Sequence, residues 1–196
     1  MEDLGTSNIR KFEIHDIIQT DLILTEAKSK IFIVNMSKNQ KDKVVLSYGD
    51  SVIRESDMKL LNGPHWLNDR IITFYFEYLY EQEFQGCSKI AFISPEVSQF
   101  LKMAGRNEVE IFLEPLNLIE KELIVMAVNN SQDPDRPGGS HWSLLMYSCQ
   151  AKQFFHFDSS DSMNSDAAHQ LAMKIHAYLQ KLSSNCNLGN TGYNNT

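Results

Sequence analysis

Cysteine is scarce in this chain. The three residues in 196, Cys87, Cys149 and Cys186, are too few and too scattered for a disulfide framework or a cysteine-rich zinc site. Basic surplus is missing as well: 18 Lys and Arg stand against 25 Asp and Glu, a formal charge of −7. That balance argues against a non-specific grip on nucleic acid and leaves protein substrates and small ligands open. No apolar run approaches the ~20 residues of a membrane-spanning helix, and Ile31-Phe32-Ile33-Val34 is only strand-sized. The opening Met1-Glu2-Asp3-Leu4-Gly5-Thr6-Ser7 has no basic region followed by an apolar core, so an ordinary secretory signal is not expected. Internal repeats are absent. These absences lead us to expect a cytoplasmic or nuclear protein with reduced thiols and with neither membrane nor nucleic-acid partners.

The apolar and aromatic content, 42% and 10%, is that of a globular protein, and the length suits one domain with an extension. Residues 1–42 form a separate compositional block of unknown role, leaving through the Lys-rich Ser37-Lys38-Asn39-Gln40-Lys41-Asp42-Lys43. A domain is expected over 43–182. It opens with a short strand at Val44–Tyr48. After Gly63-Pro64, the segment from Trp66-Leu67-Asn68-Asp69 to about Phe84 carries too many apolar residues for one amphipathic stripe. It predicts a deeply buried helix capped by Asn68 or Asp69. Ser94-Pro95-Glu96 signals a second helix: a hydroxyl cap, proline in the first turn, and an acid at the positive end of the dipole. A short helix around Val109–Leu113 should stop at Pro115, and Glu122–Asn129 reads as a buried strand. Ser165-Asp166 starts a helix with apolar residues at helical spacing to Leu182. Residues 183–196 have almost no apolar content and predict a disordered tail.

Candidate chemistry centres on Gly138-Gly139-Ser140-His141-Trp142-Ser143 and, downstream, Phe154-Phe155-His156-Phe157-Asp158. The two stretches read as a β-hairpin turning at Ser148-Cys149-Gln150-Ala151. Symmetric pairing sets Leu145 opposite Phe154, Ser143 opposite His156 and His141 opposite Asp158, on one face. A carboxylate there holds an imidazole in one tautomer, as a general base requires, although a purely structural pair has the same appearance. His141, His156 and Asp158 together also offer the donors of a facial metal triad. Trp66 and Trp142 are either packing residues or two indoles clamping a thin peptide. A nucleophile for the pair is harder to find. Cys149 lies eight residues along the strand from His141, roughly 26 Å. Cys87 follows the first long helix, and Cys186 sits among Asn and Gly with no helix after it.

Trp66-Leu67-Asn68-Asp69, Phe92-Ile93-Ser94-Pro95-Glu96, Gly139-Ser140-His141-Trp142-Ser143-Leu144-Leu145 and Phe155-His156-Phe157-Asp158-Ser159, in that order and spacing, resemble the Ulp/sentrin-specific cysteine protease family. Within it the likeness is to the deneddylase type, and it runs from about Lys43 to about Leu182. The resemblance implies a papain-like α+β domain of the ubiquitin-like protease type, incomplete at its C-terminus. It implies a monomer without cofactor or metal, acting on a ubiquitin-like modifier of the Nedd type and its conjugates. By the same resemblance His141 is the catalytic base and Asp158 its orienting carboxylate. Trp66 and Trp142 hold the modifier's Gly-Gly tail, and Asn68 and Asp69 lie at the modifier-binding surface. The implied chemistry is thiolate attack on a glycine carbonyl through an acyl-enzyme. Where the family carries its nucleophile in an Asp-Cys-Gly stretch, this chain has Asn185-Cys186-Asn187-Leu188-Gly189. The expectation is a truncated peptidase domain, inactive for want of the thiol, with a non-catalytic tail-binding module as the alternative.

Overall fold

The computed structural model describes residues 42–133 and 138–185. Residues 1–41 and 186–196, which include most of the expected extension and tail, lie outside the described residues. A small antiparallel pair, β1 (Val44–Tyr48) and β2 (Ser51–Arg54), leads into helix α1 (Glu55–Leu60) and then α2 (Asp69–Tyr78), which widens into one π-helical turn over Leu79–Glu83. Strand β3 (Ile90–Ile93) is followed by α3 (Pro95–Met103), α4 (Arg106–Leu113) and two 3₁₀ turns, Glu114–Leu116 and Leu118–Glu120. Strands β4 (Leu123–Asn129), β5 (Trp142–Ser148) and β6 (Gln153–Phe157) then precede α5 (Ser165–Asn185). The main sheet runs β3-β4-β5-β6, with β3 parallel to β4 and the rest antiparallel. The parallel step needs a crossover, which α3 and α4 provide.

Both faces of this sheet are covered, so β4 is apolar from Leu123 to Val128 instead of alternating with polar residues. Ile124, Met126 and Val128 point into the larger core, where Leu101, Leu113, Leu171 and Ile175 come from α3, α4 and α5. Val125 and Ala127 point the other way, onto Phe76 of α2. Helix α2 accordingly has two apolar sides. Phe76 meets Phe92 on β3 at 5.2 Å between ring centroids, whereas Phe74 meets Tyr48 of the small β-pair at 5.7 Å. The excess of apolar residues therefore reflects a helix wedged between two strand layers. It is not buried all round: Ile71, Phe74 and Phe76 are buried, and the other apolar residues are half-buried.

The helix starts match their chemistry. Asn68 caps α2 by accepting from the Ile71 N–H at 3.1 Å, and Ser94 caps α3 through Val97 with Pro95 in the first turn. Helix α1 and strand β2 were not anticipated from sequence. Their six and four residues are too short to show a period. Helix α5 runs three residues past Leu182, and the Ser184 hydroxyl donates to the Gln180 carbonyl at 2.8 Å in that last turn.

The hairpin register differs from symmetric pairing about Ser148–Ala151. The observed partners are Ser148↔Gln153, Tyr147↔Phe154, Leu145↔His156 and Leu144↔Phe157, a shift of two residues. Ser148 is the last strand residue: its Oγ accepts from the Ala151 N–H at 3.2 Å, and the loop closes through Lys152 at φ +51°. Because side chains alternate with a period of two, a two-residue shift keeps every residue on its face. Only the direct oppositions become diagonals.

Candidate functional site

His141 ends the loop leading into β5, and Asp158 follows β6 directly. Continuing the register past the strand ends sets Ser143 opposite Asp158, so His141 and Asp158 are diagonal neighbours, within reach of long side chains. They meet: His141 Nε2 lies 2.5 Å from Asp158 Oδ1, with both side chains about 5% exposed. An ionised carboxylate only accepts, so this contact keeps a proton on Nε2, and in the neutral ring the lone pair is then on Nδ1. Asp158 is itself pinned. Its Oδ1 also accepts from the Ser160 N–H at 2.9 Å, and its Oδ2 from the Asn164 N–H at 2.8 Å. Burial raises the carboxyl's pKa, but the Asn164 and Ser160 N–H groups and His141 outweigh it, and the net shift is downward.

The loop before His141 is held from below. Lys102, buried on α3, donates at 2.6 Å to each of the Asn129 and Ser131 carbonyls, and burial lowers its ammonium to about 8. Gly139 sits at φ +91° so close to Asn129 that a Cβ there would lie 1.9 Å from Oδ1. Only glycine fits. Asn130 Oδ1 accepts from the Ser140 N–H at 2.8 Å and closes the loop's mouth.

Strand alternation turns Trp142 to the opposite face from His141, onto the α2 side. Its indole Nε1 donates to the Leu67 carbonyl at 2.8 Å, which ties β5 to the segment entering α2. Trp66, next to that carbonyl, is 65% exposed. The structure thus brings Trp142 to the Trp66-Leu67 segment and leaves the Trp66 ring in solvent. Asn68 is occupied twice, capping α2 and donating from Nδ2 to Asp57 Oδ1 at 2.6 Å. Asp69 is exposed in the first turn.

Asp57 was missed in the sequence reading, where Glu55-Ser56-Asp57 carries no signal. Its carboxylate is 1% exposed and accepts from Asn68, from the Arg54 N–H at 2.8 Å, and pairs with Arg70 at 3.5 Å. Replacing it by alanine strips partners from two donors and frees the Trp66–Asn68 entrance. Asp57→Ala should cost about 2 kcal/mol, lowering Tm by ~4–8 °C. Thermal unfolding followed by circular dichroism checks this, and an unchanged Tm would show that the carboxylate carries no such weight.

His156 completes the polar layer. Its Nε2 lies 2.9 Å from Ser143 Oγ, again a diagonal contact. With one histidine nitrogen engaged by Asp158 and the other histidine's by Ser143, the facial-triad arrangement is not formed. Among the described residues no group of three His, Cys, Asp or Glu is placed to hold a metal. Burial lowers the His156 pKa and His141 adds to this, while Asp158 opposes it. Between the lowered folded value and about 6.5 the unfolded chain binds more protons, so stability rises with pH in that window and is lost on acidification through it. The Tm difference between pH 7 and pH 5 should therefore be smaller in His156→Gln than in the wild type. An equal difference in the two proteins would exclude this contribution.

Neither described thiol is near this site. The Cys149 N–H donates to Glu122 O, and the Glu122 N–H to Lys89 O, so Cys149 and the segment before β3 share one end of the sheet. Cys87, whose carbonyl accepts from Ile90, lies at that end too, while His141 lies at the other. A seven-residue strand separates them, about 23 Å. Burial, and then Glu122, raises the Cys149 pKa, away from a reactive thiolate. Cys186 lies outside the described residues.

Residues 65–188 match the C-terminal catalytic domain of the Ulp1 protease family. The chain belongs to that family. It is 48% identical over 140 residues to sentrin-specific protease 8 of Homo sapiens, covering 70% of this chain and 66% of the relative. It is 36% identical over 146 residues to NEDD8-specific protease 1 of Arabidopsis thaliana, covering 74% and 64%. The chain thus spans a little under two thirds of the length of these relatives. The C-terminal Ulp1 protease domain solved in complex with Smt3, the yeast ortholog of SUMO, superposes with a TM-score of 0.62 at 18% identity, covering 96% of this chain and 75% of that one. That likeness establishes the fold, a mixed α+β domain of the Ulp1 type. The family is one of cysteine peptidases.

Proposed function

We propose that this site is the base and substrate-binding part of a cysteine peptidase that cleaves after the C-terminal Gly-Gly of a ubiquitin-like modifier of the Nedd type. The observation that carries the reading is the buried His141–Asp158 contact through Nε2, one residue from an indole tied to the Trp66-Leu67 segment. Nδ1 of His141 then takes the proton of an attacking thiol and returns it to the departing amine, while Asp158 stabilises the imidazolium. Trp66 and Trp142 flank the path of a tail with no side chains, which is why two glycines fit, and Asp69 lies at the modifier's surface. The names of the relatives, sentrin- and NEDD8-specific proteases, support the substrate class.

The described cysteines cannot supply the thiol, because both lie at the far end of the sheet. Cys186 stands in Asn185-Cys186-Asn187 and not in the Asp-Cys-Gly that the family resemblance implies, and we propose that the 196-residue chain captures the tail without cutting it. Calorimetric titration with the free modifier, and with a form lacking the terminal Gly-Gly, tests this. Binding that requires the Gly-Gly is expected, and a folded chain that binds neither form, or both alike, would overturn the reading.

A further inference from the structure

We propose that Asn164 is a positioning residue that locks the His141–Asp158 pair from both sides, a role that rests on His141 being the base. The residue is fully buried and immediately precedes α5, where its carbonyl accepts from Ala168 at 2.8 Å as that of an N-cap residue does. An asparagine there ordinarily turns its side-chain oxygen to the helix's free N–H groups. This one does not. Its Oδ1 has no hydrogen-bond partner among the described residues, and its Nδ2 points back to the sheet. Nδ2 lies 2.9 Å from Val128 O on β4, 3.3 Å from His141 O, and 3.0 Å from Ser143 Oγ on β5. The backbone N–H of the same residue holds Asp158 Oδ2 at 2.8 Å.

One residue therefore grips the carboxylate with its main chain and the backbone of the imidazole with its side chain. The capping bond is forgone to do so, which a purely helix-starting role does not explain. The donor is also specific. An aspartate of the same shape would turn an oxygen toward two carbonyls and set a second negative charge beside Asp158. An apolar residue would leave the Val128 and His141 carbonyls without this donor in a dry site. Through Ser143 the grip extends to His156, so the whole polar layer under the site turns on a single amide.

The test uses the free chain and needs no substrate, so it can fail while modifier binding stands, or succeed while that fails. In nitrogen-15 NMR the wild type should give a slowly exchanging, low-field imidazole proton from His141 Nε2–H. In Asn164→Ala and Asn164→Asp that proton should exchange with water about tenfold faster or be lost. A merely structural asparagine would lower Tm and leave the signal in place. A folded Asn164→Ala with unchanged exchange overturns the proposal. Should both variants fail to fold, the wild type decides. The Asn164 side-chain amide protons and the His141 imidazole proton should then exchange in one opening event, within about a factor of two. An imidazole proton that exchanges much faster than the amide excludes the lock.

Discussion

The purified 196-residue chain should leave a fluorogenic amide on the Gly-Gly tail of a ubiquitin-like modifier uncleaved, with turnover on the order of 10⁶ below that of a complete triad. The deficit follows from the way a triad works. Its members act as a unit, and an oriented base with no nucleophile to deprotonate contributes only binding and polarisation. Cys149 and Cys87 lie at the sheet end away from His141, and Cys149 is raised in pKa by burial. A thiol must be within hydrogen-bond reach of the imidazole to be activated, and a strand's length of separation forbids it. Measurable turnover by this chain, abolished by Cys186→Ala, would sink the prediction and assign that cysteine the nucleophile's place. Turnover abolished by Cys87→Ala would instead assign the nucleophile's place to that thiol and sink the prediction equally.

Trp142→Ala should lower affinity for the modifier tail by about 30-fold or more, the loss of a half-buried aromatic anchor. The indole has two tasks that a smaller residue cannot share. Its ring packs on the α2 side with Leu144 and Met146, and its Nε1 holds the Leu67 carbonyl that fixes the segment carrying Trp66. Trp142→Phe keeps the packing and removes the donor, so it should retain part of the affinity and separate the two contributions. Trp66→Ala is the cleaner probe of the wall itself. Trp66 is largely exposed, so its loss should change Tm little while still weakening tail binding. Titration of these variants with the free modifier, beside their Tm values, decides the matter. Full affinity in Trp142→Ala would remove the tryptophans from the binding path.

Much of this site was legible in the sequence because it depends on period and order. A pleated strand alternates, so His141, Ser143, His156 and Asp158 had to share one face in any register of even shift, and they do. Helix starts were equally local: Asn68, and Ser94 with Pro95, sit where their own chemistry directs them. The turn was less legible. Whether Ser148 ends a strand or begins a loop depends on one hydroxyl bond and on Lys152 adopting a left-handed backbone, and neither leaves a compositional mark.

The sequence by itself determined the family motifs, the pairing of a histidine with an aspartate at the mouth of a hairpin, and the strand length that separates Cys149 from them. Tertiary structure alone decided which polar groups hold that pair in place. Asn164, Asp57 and Lys102 reach partners 36, 11 and 29 residues away, and no local period encodes such contacts. It also decided that Cys87 is out of reach, because only the parallel pairing of β3 with β4 fixes the end of the sheet at which that thiol lies. Local chemistry is written along the chain, whereas burial and long-range hydrogen bonds exist only once separate segments have been packed together.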